Sequence, residues 1–312
     1  MDYQTIIVEE KNAVGYLTFN RPKQLNSFNE TMHQEVSKVI KAWAKDSQIR
    51  AVVISAEGRG FCAGQDLNDR VVDPNADAPD LGLSIEKYYN PLIKLITEMP
   101  KPVICAVNGV AAGAGANIAL ACDIVVAAKS ASFIQAFCRL GLVPDSGGTW
   151  FLPRLVGRAQ AMGLAMLGDK IPAERAVQLG MIWQVVEDEQ LQAEAKKLAE
   201  HLAQQPTYGL SLIKKAIHAA AENNLDEQLI LERDLQRLAG RSSDYKEGVQ
   251  AFMQSVPLNI KDAKSCNRSI WNKSKLLWSV LEPWGLALHN WQPCTGIRPM
   301  CLISIAAKFR VP

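Results

Sequence analysis

The fold of this chain of 312 residues is decided by the stretch VICAVNGVAAGAGAN, residues 103–117. Residues 102–107 form an apolar run, which is typical of a buried strand. Small residues then dominate, and they allow two backbones to approach closely and to adopt unusual dihedral angles. The stretch therefore predicts a buried strand, a tight turn and then a short helix at residues 114–122.

A second segment upstream has the same plan. The apolar run at residues 51–55 leads into GRGFCAGQDL, residues 58–67, with a loop expected at 57–64. A helix that begins at such a turn presents free N–H groups and the positive end of its dipole. Two such turns side by side can hold an oxyanion. Glycine-rich turns in general serve only tight packing, so the pattern alone leaves both interpretations open.

Neither turn carries a nucleotide-binding motif. A dinucleotide fingerprint needs a third glycine, but Ile118 stands in that place after Gly113 and Gly115. A phosphate-binding Walker loop needs a Gly-Lys-Ser/Thr run, and such a run follows neither turn. The sequence therefore gives no support to a nucleotide site at these turns.

Strands and helices alternate through the first half of the chain. Apolar periodicity predicts strands at residues 5–10, 14–20 and 124–128 and helices at 31–46 and 86–99. Such alternation indicates an α/β architecture with mainly parallel strand pairing.

Helices dominate after residue 173. The predicted helices span residues 190–203, 206–221, 226–239 and 243–254. The third of them is expected to begin at Asp226, because an aspartate before an apolar periodic segment is a good N-cap.

The composition is that of an ordinary globular protein. Hydrophobic residues make up 48% and charged residues 21% of the chain, and no run of eighteen apolar residues predicts a membrane-spanning helix. The N-terminus lacks the basic and apolar regions of a secretory signal, and the seven cysteines include no CxxC pair. We therefore expect a cytoplasmic protein with no metal site, no disulfide framework and no membrane partner.

Residues 255–312 differ in composition from the rest of the chain. They hold four of the seven tryptophans, and eight Lys or Arg against two acids, without a clean amphipathic period. Of the 34 basic and 32 acidic residues in total, 26 and 30 therefore fall in residues 1–254. That acidic excess makes nucleic acid an unexpected partner. We interpret the tail as a translated frameshift or a misread coding end, and we expect it to be disordered or loosely docked.

Several segments resemble the enoyl-CoA hydratase/isomerase superfamily, also called the crotonase superfamily. Residues 58–67 and 108–123 are similar to its two signature segments, and further matches follow in the same order. These are NRP at 20–22, LNS at 25–27, LGLVP at 140–144, GG at 147–148, AERA at 173–176 and GM at 180–181. The resemblance covers residues 3–253.

The resemblance implies a fold and an assembly. The fold is an α/β crotonase-like spiral of ββα units over residues 1–200, followed by a C-terminal helical trimerisation region over residues 201–254. The implied assemblies are a homotrimer and a homohexamer built from paired trimers.

The resemblance also implies a substrate class. Members of the superfamily act on acyl-CoA thioesters, and residues 60–70, 73–74 and 238–245 are most similar to members that isomerise ring-1,2-epoxyphenylacetyl-CoA. We therefore expect an acyl-CoA isomerase that forms the oxepin product, shifts enoyl-CoA double bonds, or does both. No cofactor is implied, because the CoA is part of the substrate.

Several site residues follow from the resemblance. The backbone N–H groups of Gln65 and Ala114 are implied to grip the thioester oxygen, where an enolate carries its negative charge. Ala63, Asp66 and Leu67 lie beside the first donor and are expected to line the substrate site. For Asp66 we favour a structural role, in which its carboxylate bonds nearby backbone N–H groups.

Two positions argue against a hydratase. Hydratases of the superfamily use two glutamates to position and activate water, and these positions fall on Asn117 and Phe137. Neither side chain can ionise, so neither can act as a general base. Both are expected to contact the substrate, and Asn117 has capping of its helix as an equally good alternative.

Asp145 is the carboxylate that remains. An aspartate just before the Gly-Gly pair at 147–148 is a good N-cap, and the residues alone favour that role. In isomerases of the superfamily, however, a carboxylate at this place shuttles the proton. One base can remove a proton from one carbon and return it to another, and we therefore assign the shuttle to Asp145.

Two other functions stay open at this point. A 2-enoyl-CoA hydratase is the nearer alternative. A non-catalytic CoA-binding assembly protein, in which Asp145 only caps a helix, belongs to a different class. The helical histidines His33, His201 and His218 are expected on helix surfaces, without a part in the chemistry.

Overall fold

The computed structural model describes residues 3–66 and 80–254 of the chain. Leu67, expected in the substrate site, and the tail at 255–312 lie outside the described residues. Within the part that is described, no helix is both long and apolar enough to cross a membrane.

The strands of the described residues form two sheets. In chain order the strands are β1 (Ile6–Lys11), β2 (Val14–Phe19), β3 (Ala51–Ala56), β4 (Gly60–Cys62), β5 (Val103–Val107), β6 (Val110–Ala112), β7 (Ile124–Ala128), β8 (Ser132–Ile134), β9 (Ile171–Pro172) and β10 (Gln184–Val186). The larger sheet has the order β1-β2-β3-β5-β7-β10, and the smaller has the order β4-β6-β8-β9.

Most neighbouring strands are parallel. In the larger sheet β1 and β2 form an antiparallel hairpin, and every other pair is parallel. In the smaller sheet β4, β6 and β8 are parallel, and β9 joins antiparallel. The predicted α/β architecture with mainly parallel pairing is therefore confirmed.

A helix lies at each predicted position, and the described residues contain three further α-helices that the sequence pattern does not predict. The α-helices are α1 (Glu30–Lys45), α2 (Leu81–Ser84), α3 (Asn90–Thr97), α4 (Ala114–Leu120), α5 (Gly148–Leu167), α6 (Ala173–Gln178), α7 (Leu191–Gln204), α8 (Thr207–Ala219), α9 (Leu225–Gly240) and α10 (Ser243–Gln254). A π-helical turn, Ile85–Tyr89, joins α2 to α3.

Helix α1 shows why these segments fold as they do. The Asn29 side chain accepts the N–H of Met32 at 3.0 Å and so satisfies one free donor of the first turn. The apolar side chains recur at helical spacing and are buried against the larger sheet. They are Met32, Val36, Val39, Ile40 and Trp43. This face is the one that the sequence predicts.

A repeated ββα unit positions the site. Strands β3, β5 and β7 are neighbours in the larger sheet, and the strands that follow them, β4, β6 and β8, are neighbours in the smaller one. Because the register is parallel, the turns after β4, β6 and β8 lie along one edge of the smaller sheet. The crotonase-like spiral expected from the resemblance is confirmed.

Two segments predicted as irregular contain strands. The predicted loop at 57–64 includes β4, and the predicted turn after residue 107 includes β6. Each strand has three residues, mostly small, so neither shows the alternation that marks a strand in a sequence. Their pairing comes from residues distant in the chain.

The C-terminal helices bring one correction. Helix α9 is capped by Asn224 and not by Asp226, since Asn224 and Glu227 form a reciprocal capping box. The predicted division at residue 200 stays a prediction, and α7 (Leu191–Gln204) runs across it.

Candidate active site

The turns that follow β4 and β6 touch through their backbones. A Cβ built on Gly64 would lie 3.0 Å from the carbonyl oxygen of Ala112 and 3.3 Å from the nitrogen of Ala114. A Cβ built on Gly115 would lie 2.3 Å from the carbonyl oxygen of Cys62. Each turn therefore needs glycine at its point of contact, and this contact fixes the distance between the turns.

The N–H of Gln65 faces the second turn. An isolated parallel bridge joins Gln65 to Phe28. In this bridge Phe28 donates to the carbonyl of Gly64 at 2.7 Å and accepts from the N–H of Asp66 at 2.9 Å. Successive peptide groups of a strand alternate in direction, so the N–H of Gln65 points away from Phe28, to the side on which β4 pairs with β6.

Ala114 supplies the first N–H of α4. The residue before it, Gly113, has φ 54° and ψ −126°, a conformation that a residue with a side chain rarely adopts. The first N–H groups of a helix have no acceptor within that helix. The structure thus places the two predicted oxyanion donors, at Gln65 and Ala114, on the facing backbones of two touching turns.

Asp145 lies just before α5 and does not cap it. The N-cap residue of α5 is Gly147, and no side chain bonds the first turn as a cap. The half-buried Asp145 instead accepts a hydrogen bond on Oδ1 from the Ser146 hydroxyl at 2.9 Å. Helix capping, the alternative role for Asp145, is therefore not what this turn shows.

The turns after β4 (residues 63–66) and β6 (residues 113–115) carry the predicted oxyanion donors and are called the first and second oxyanion turns. Asn117 connects Asp145 to these turns. It lies about one helical turn after Ala114 on α4 and is fully buried. Its Nδ2 donates to the backbone carbonyl of Asp145 at 2.8 Å, and its Oδ1 accepts from Nε2 of Gln135 at 2.8 Å. The N-cap residue of α4 is Gly113, so Asn117 does not cap its own helix. Its expected contact with the acyl group stays a prediction.

Phe137 lies beside the second oxyanion turn. The side chain is buried, and a Cβ built on Gly113 would lie 3.7 Å from its ring. Ala63, by contrast, is exposed, and its N–H donates to the carbonyl of Leu25 at 3.0 Å. Phe137 and Ala63 both lie next to these turns, and their expected contact with the substrate stays a prediction.

Asp66 is held by an arginine. Its Oδ2 lies 2.9 Å from the Arg21 guanidinium, and both side chains are largely buried. Arg21 also donates to the carbonyl of Ser27. Asp66 therefore ties the first oxyanion turn to the segment after β2 through a side chain, while the expected bonds to backbone N–H groups stay a prediction.

A cavity of about 680 Å³ borders the first oxyanion turn. Gln65, His33 and Tyr88 line it, together with the surface of α2. The buried Tyr89 donates its hydroxyl to Oε1 of Gln65, one of the lining residues, at 3.0 Å. The cavity is large enough for an aryl or short acyl group.

His33 is buried, and its predicted place on a helix surface is wrong. Its side chain packs among three aromatic rings, stacking on Tyr88 at 4.8 Å, with Phe28 at 4.8 Å and Tyr89 at 4.5 Å. Two of these rings come from the segment before α3, so the periodicity of α1 alone gives no sign of this cage. His201 is exposed as expected, and His218 is half-buried.

Asn26 is a site residue whose role the sequence does not reveal. It is fully buried with a positive φ of 55°. Its Nδ2 donates to the carbonyls of Glu57 and Gly60, each at 2.8 Å, and its Oδ1 accepts from the N–H of Arg21 at 2.7 Å. The amide thus fastens β4 to the segment after β2 and supports the first oxyanion turn.

The thiols near the site are not nucleophiles. Burial raises the pKa of Cys62 to about 12, so the thiolate that would react is scarce. Among the described residues, no group of three or more His, Cys, Asp or Glu side chains is placed to hold a metal ion.

The family follows from comparison with known proteins. The model of the family described as Enoyl-CoA hydratase/isomerase matches residues 9–263. This chain belongs to the enoyl-CoA hydratase/isomerase family. It is 60% identical over 248 residues to the 1,2-epoxyphenylacetyl-CoA isomerase of Escherichia coli (strain K12), covering 80% of this chain and 95% of that protein.

A second relative carries a hydratase name. The chain is 44% identical over 257 residues to a probable enoyl-CoA hydratase of Rhodobacter capsulatus, covering 82% of this chain and 98% of that protein. The membership makes the chain an enzyme of a family of acyl-CoA hydratases and isomerases, as the resemblance predicts.

Solved structures of the family have the same fold. An enoyl-CoA hydratase subunit from Geobacillus kaustophilus superposes with a TM-score of 0.77 at 32% identity, covering 84% of this chain and 99% of that one. An enoyl-CoA hydratase from Bacillus anthracis gives a TM-score of 0.78 at 29% identity, with 84% and 100% covered. The relatives are thus matched over nearly their whole length, while part of this chain lies beyond the match.

Proposed function

We propose that this chain is an acyl-CoA isomerase that converts ring-1,2-epoxyphenylacetyl-CoA into the corresponding oxepin-CoA. The observation that carries the proposal is the similarity to the Escherichia coli isomerase over nearly all of that protein. The same site would also move the double bond of a 3-enoyl-CoA to the 2-position.

In this proposal the thioester oxygen binds between the N–H groups of Gln65 and Ala114. An enolate carries negative charge on that oxygen, and two preorganised donors stabilise this charge more than they stabilise the neutral carbonyl. Loss of one such donor typically costs about 3–4 kcal/mol of transition-state stabilisation. The facing backbones of the two turns support this assignment.

Asp145 moves the proton in the double-bond shift. Its carboxylate removes a proton from C2 of the 3-enoyl thioester, and the electrons move into a dienolate whose oxygen binds the two donors. The same carboxyl group then returns the proton to C4, which leaves the double bond between C2 and C3. No atom is gained or lost in this reaction. We therefore propose that it needs no metal and no cofactor, since the CoA is part of the substrate.

The conversion of the ring epoxide is also an isomerisation. The bond between the two epoxide carbons breaks, both carbons stay bonded to oxygen, and the ring expands to seven members. Neither water nor an oxidant is consumed. We assign to the oxyanion donors the task of holding the thioester, and to the cavity beside His33 and Tyr88 the task of holding the ring.

Hydration of a 2-enoyl-CoA is the second candidate, because the relative from Rhodobacter capsulatus is a probable hydratase. Asn117 and Phe137 stand at the two positions where the resemblance implies hydratase glutamates, and neither side chain can activate water. The missing bases favour isomerisation over hydration.

The test compares the two reactions in one preparation. Purified protein is given 1,2-epoxyphenylacetyl-CoA and 3-hexenoyl-CoA to isomerise, and crotonyl-CoA to hydrate. We expect isomerisation, with hydration slower by about two orders of magnitude, the contribution of a general base. Rapid hydration of crotonyl-CoA would establish the hydratase, and binding of all three thioesters without turnover would establish the non-catalytic assembly protein.

We also infer a homotrimer or homohexamer. The C-terminal helices expose large apolar side chains and border an apolar groove of about 590 Å³ between α8 and α9. The exposed side chains are Ile213, Ile217, Leu229, Ile230, Phe252 and Met253. Exposed apolar side chains grouped in this way commonly mark a protein–protein interface. Native mass spectrometry distinguishes a trimer or hexamer from a monomer.

We also infer a cytoplasmic location. Free cysteines that are buried and form no disulfide are typical of a reducing compartment.

A further inference from the structure

The backbone carbonyl of Asp145 is the centre of a small buried network. It accepts two hydrogen bonds, from the side-chain Nδ2 of Asn117 and from the backbone N–H of Gly148, each at 2.8 Å. Two residues with positive φ follow it, Ser146 at 51° and Gly147 at 76°. A left-handed serine is unfavourable by roughly 1–2 kcal/mol, so this turn depends on its surroundings to hold its shape.

The direction of the network is fixed by chemistry. A carbonyl oxygen can only accept, so Asn117 must turn its NH₂ group toward Asp145. Its Oδ1 then faces Gln135, which must present its own NH₂ group, as it does at 2.8 Å. Gln135 thereby sets the orientation of Asn117, and Asn117 sets the peptide that carries the Asp145 side chain.

The network requires a glycine at position 148 and leaves one buried oxygen of Gln135 without a hydrogen bond in the described part of the chain. A Cβ on Gly148 would lie 2.3 Å from Nδ2 of Asn117, so only glycine allows the Asn117 amide to reach Asp145. The Oε1 atom of Gln135 is buried and has no hydrogen-bond partner within the described residues. A buried acceptor without a partner is unfavourable, so stability alone does not account for Gln135 at this position.

We propose that Asn117 and Gln135 are positioning residues that orient the Asp145 carboxylate for proton transfer. The inference rests on the proposed function, in which Asp145 is the base. Asparagine at position 117 is then more than the absence of a hydratase glutamate. A carboxylate there could not donate to the Asp145 carbonyl, whereas the amide of Asn117 does.

The test measures kcat and KM for isomerisation of 3-hexenoyl-CoA together with the melting temperature. Asn117→Asp keeps the shape of the side chain but removes its donor. We expect kcat to fall about ten-fold or more, because small displacements of a catalytic group are costly. KM should stay close to the parent value, because a positioning role removes no uniform contact with the substrate. Ser132→Ala serves as the matched control. It removes a buried hydroxyl at the start of β8, the strand that Gln135 follows, and should leave kcat unchanged.

A second variant separates positioning from stability. Gln135→Met removes the donor to Asn117 and also removes the unpartnered oxygen. We expect kcat to fall while the melting temperature stays within about 2–4 °C of the parent, the shift that roughly 1 kcal/mol produces in a chain of this size. A melting temperature that falls further with kcat unchanged would give Gln135 a structural role only and overturn the inference. Because this variant does not touch Asp145, it also decides the question if Asn117→Asp fails to fold.

A double variant distinguishes this inference from the proposed function. If Asn117 acts through Asp145, then Asn117→Asp causes no further loss of kcat in an Asp145→Asn background. Equal losses in both backgrounds would overturn the positioning role alone. An Asp145→Asn variant that keeps the parent kcat would instead overturn the proposed function, and the positioning role with it.

Discussion

The hydroxyl of Tyr89 donates to Oε1 of Gln65 at 3.0 Å and joins the segment before α3 to the first oxyanion turn. Tyr89 is fully buried at the end of the π-helical turn before α3, whereas Gln65 lines the cavity itself. Through this bond, the residue whose backbone is proposed to hold the thioester oxygen is tied to Tyr89, whose ring packs against His33 in the cavity lining.

Tyr89→Phe should therefore lower kcat and destabilise the chain modestly. A lost hydrogen bond of this kind costs about 0.5–1.5 kcal/mol, and Gln65 is left free to move. Tyr16→Phe is the control, because the Tyr16 hydroxyl lies on β2, outside the cavity lining, and has no hydrogen-bond partner within the described residues. Thermal melts and kcat measurements on both variants check the prediction, and equal effects of the two would contradict it.

The contact between the oxyanion turns predicts an asymmetry between two glycines. Gly115→Ala should abolish activity or folding, because its Cβ would lie 2.3 Å from the Cys62 carbonyl oxygen. Gly163→Ala should be neutral or stabilising by roughly 0.5–1 kcal/mol, since Gly163 lies inside α5 with nothing within 4 Å of its Cβ position. Soluble yield, melting temperature and kcat distinguish the two variants.

Replacing Asp145 should remove chemistry without removing stability. Asp145→Asn keeps the size of the side chain, so we expect a normal melting temperature and a loss of isomerase kcat of about two to four orders of magnitude, the contribution of a general base. Asn224→Ala provides the contrast, because Asn224 does cap a helix and its loss should cost about 1 kcal/mol without changing kcat. If the Asp145→Asn variant were strongly destabilised but kept the parent kcat, the role of Asp145 would be structural and not catalytic.

Stability should fall as the solution is acidified through the range in which His218 titrates. Burial lowers the pKa of His218, and nearby Lys214 lowers it further while Asp123 raises it. With its folded pKa depressed, the unfolded chain binds the proton first. The stability present above the ordinary pKa of about 6.5 is therefore lost as the pH falls through the lower folded pKa.

The region around His218 fastens α8 to the core. Lys214 bonds both the carbonyl of Ile96 and the carboxylate of Asp123, each at 2.8 Å. Melting temperatures measured from about pH 7 to about pH 5 should fall less steeply in His218→Gln than in the parent. The exposed His201 provides the control, and an identical slope in His218→Gln and His201→Gln would contradict the prediction.

The tail at 255–312 gives a prediction from sequence. Helix α10 ends at Gln254, whereas the family model matches as far as residue 263. We expect a chain ending after Gln254 to keep its fold and assembly, and a chain ending after residue 263 to behave in the same way. Oligomer mass, melting temperature and CoA affinity test both chains against the full length. Loss of assembly in either would show that the removed residues are structural.

The elements that can be predicted from the sequence are those that are long and pack against the larger sheet. Helix α1 and strands β3, β5 and β7 follow directly from apolar periodicity, because each buries a face or a whole strand against the larger sheet. Strands β4 and β6 could not be predicted in this way, because three small residues carry no period and pair only through distant segments.

At the site, the sequence identified positions better than contacts. Asp145, Asn117 and Phe137 could be singled out from the resemblance, but the bond from Asn117 to the Asp145 carbonyl depends on α4 and the turn before α5 coming together in space. The burial of His33 could not be predicted either, because the rings around it, Phe28, Tyr88 and Tyr89, lie outside α1. Spacing along one helix carries no information about such partners.

The contact of Gly64 and Gly115 with opposite backbones has a consequence for how such a gene can evolve. The two turns meet through main-chain atoms, so this contact does not depend on the side chains at 117, 137 and 145. A duplicated copy could exchange the residues at 117, 137 and 145 and acquire different proton chemistry while still binding the same kind of thioester. Single substitutions at these positions can therefore change the reaction while the binding of the thioester is kept.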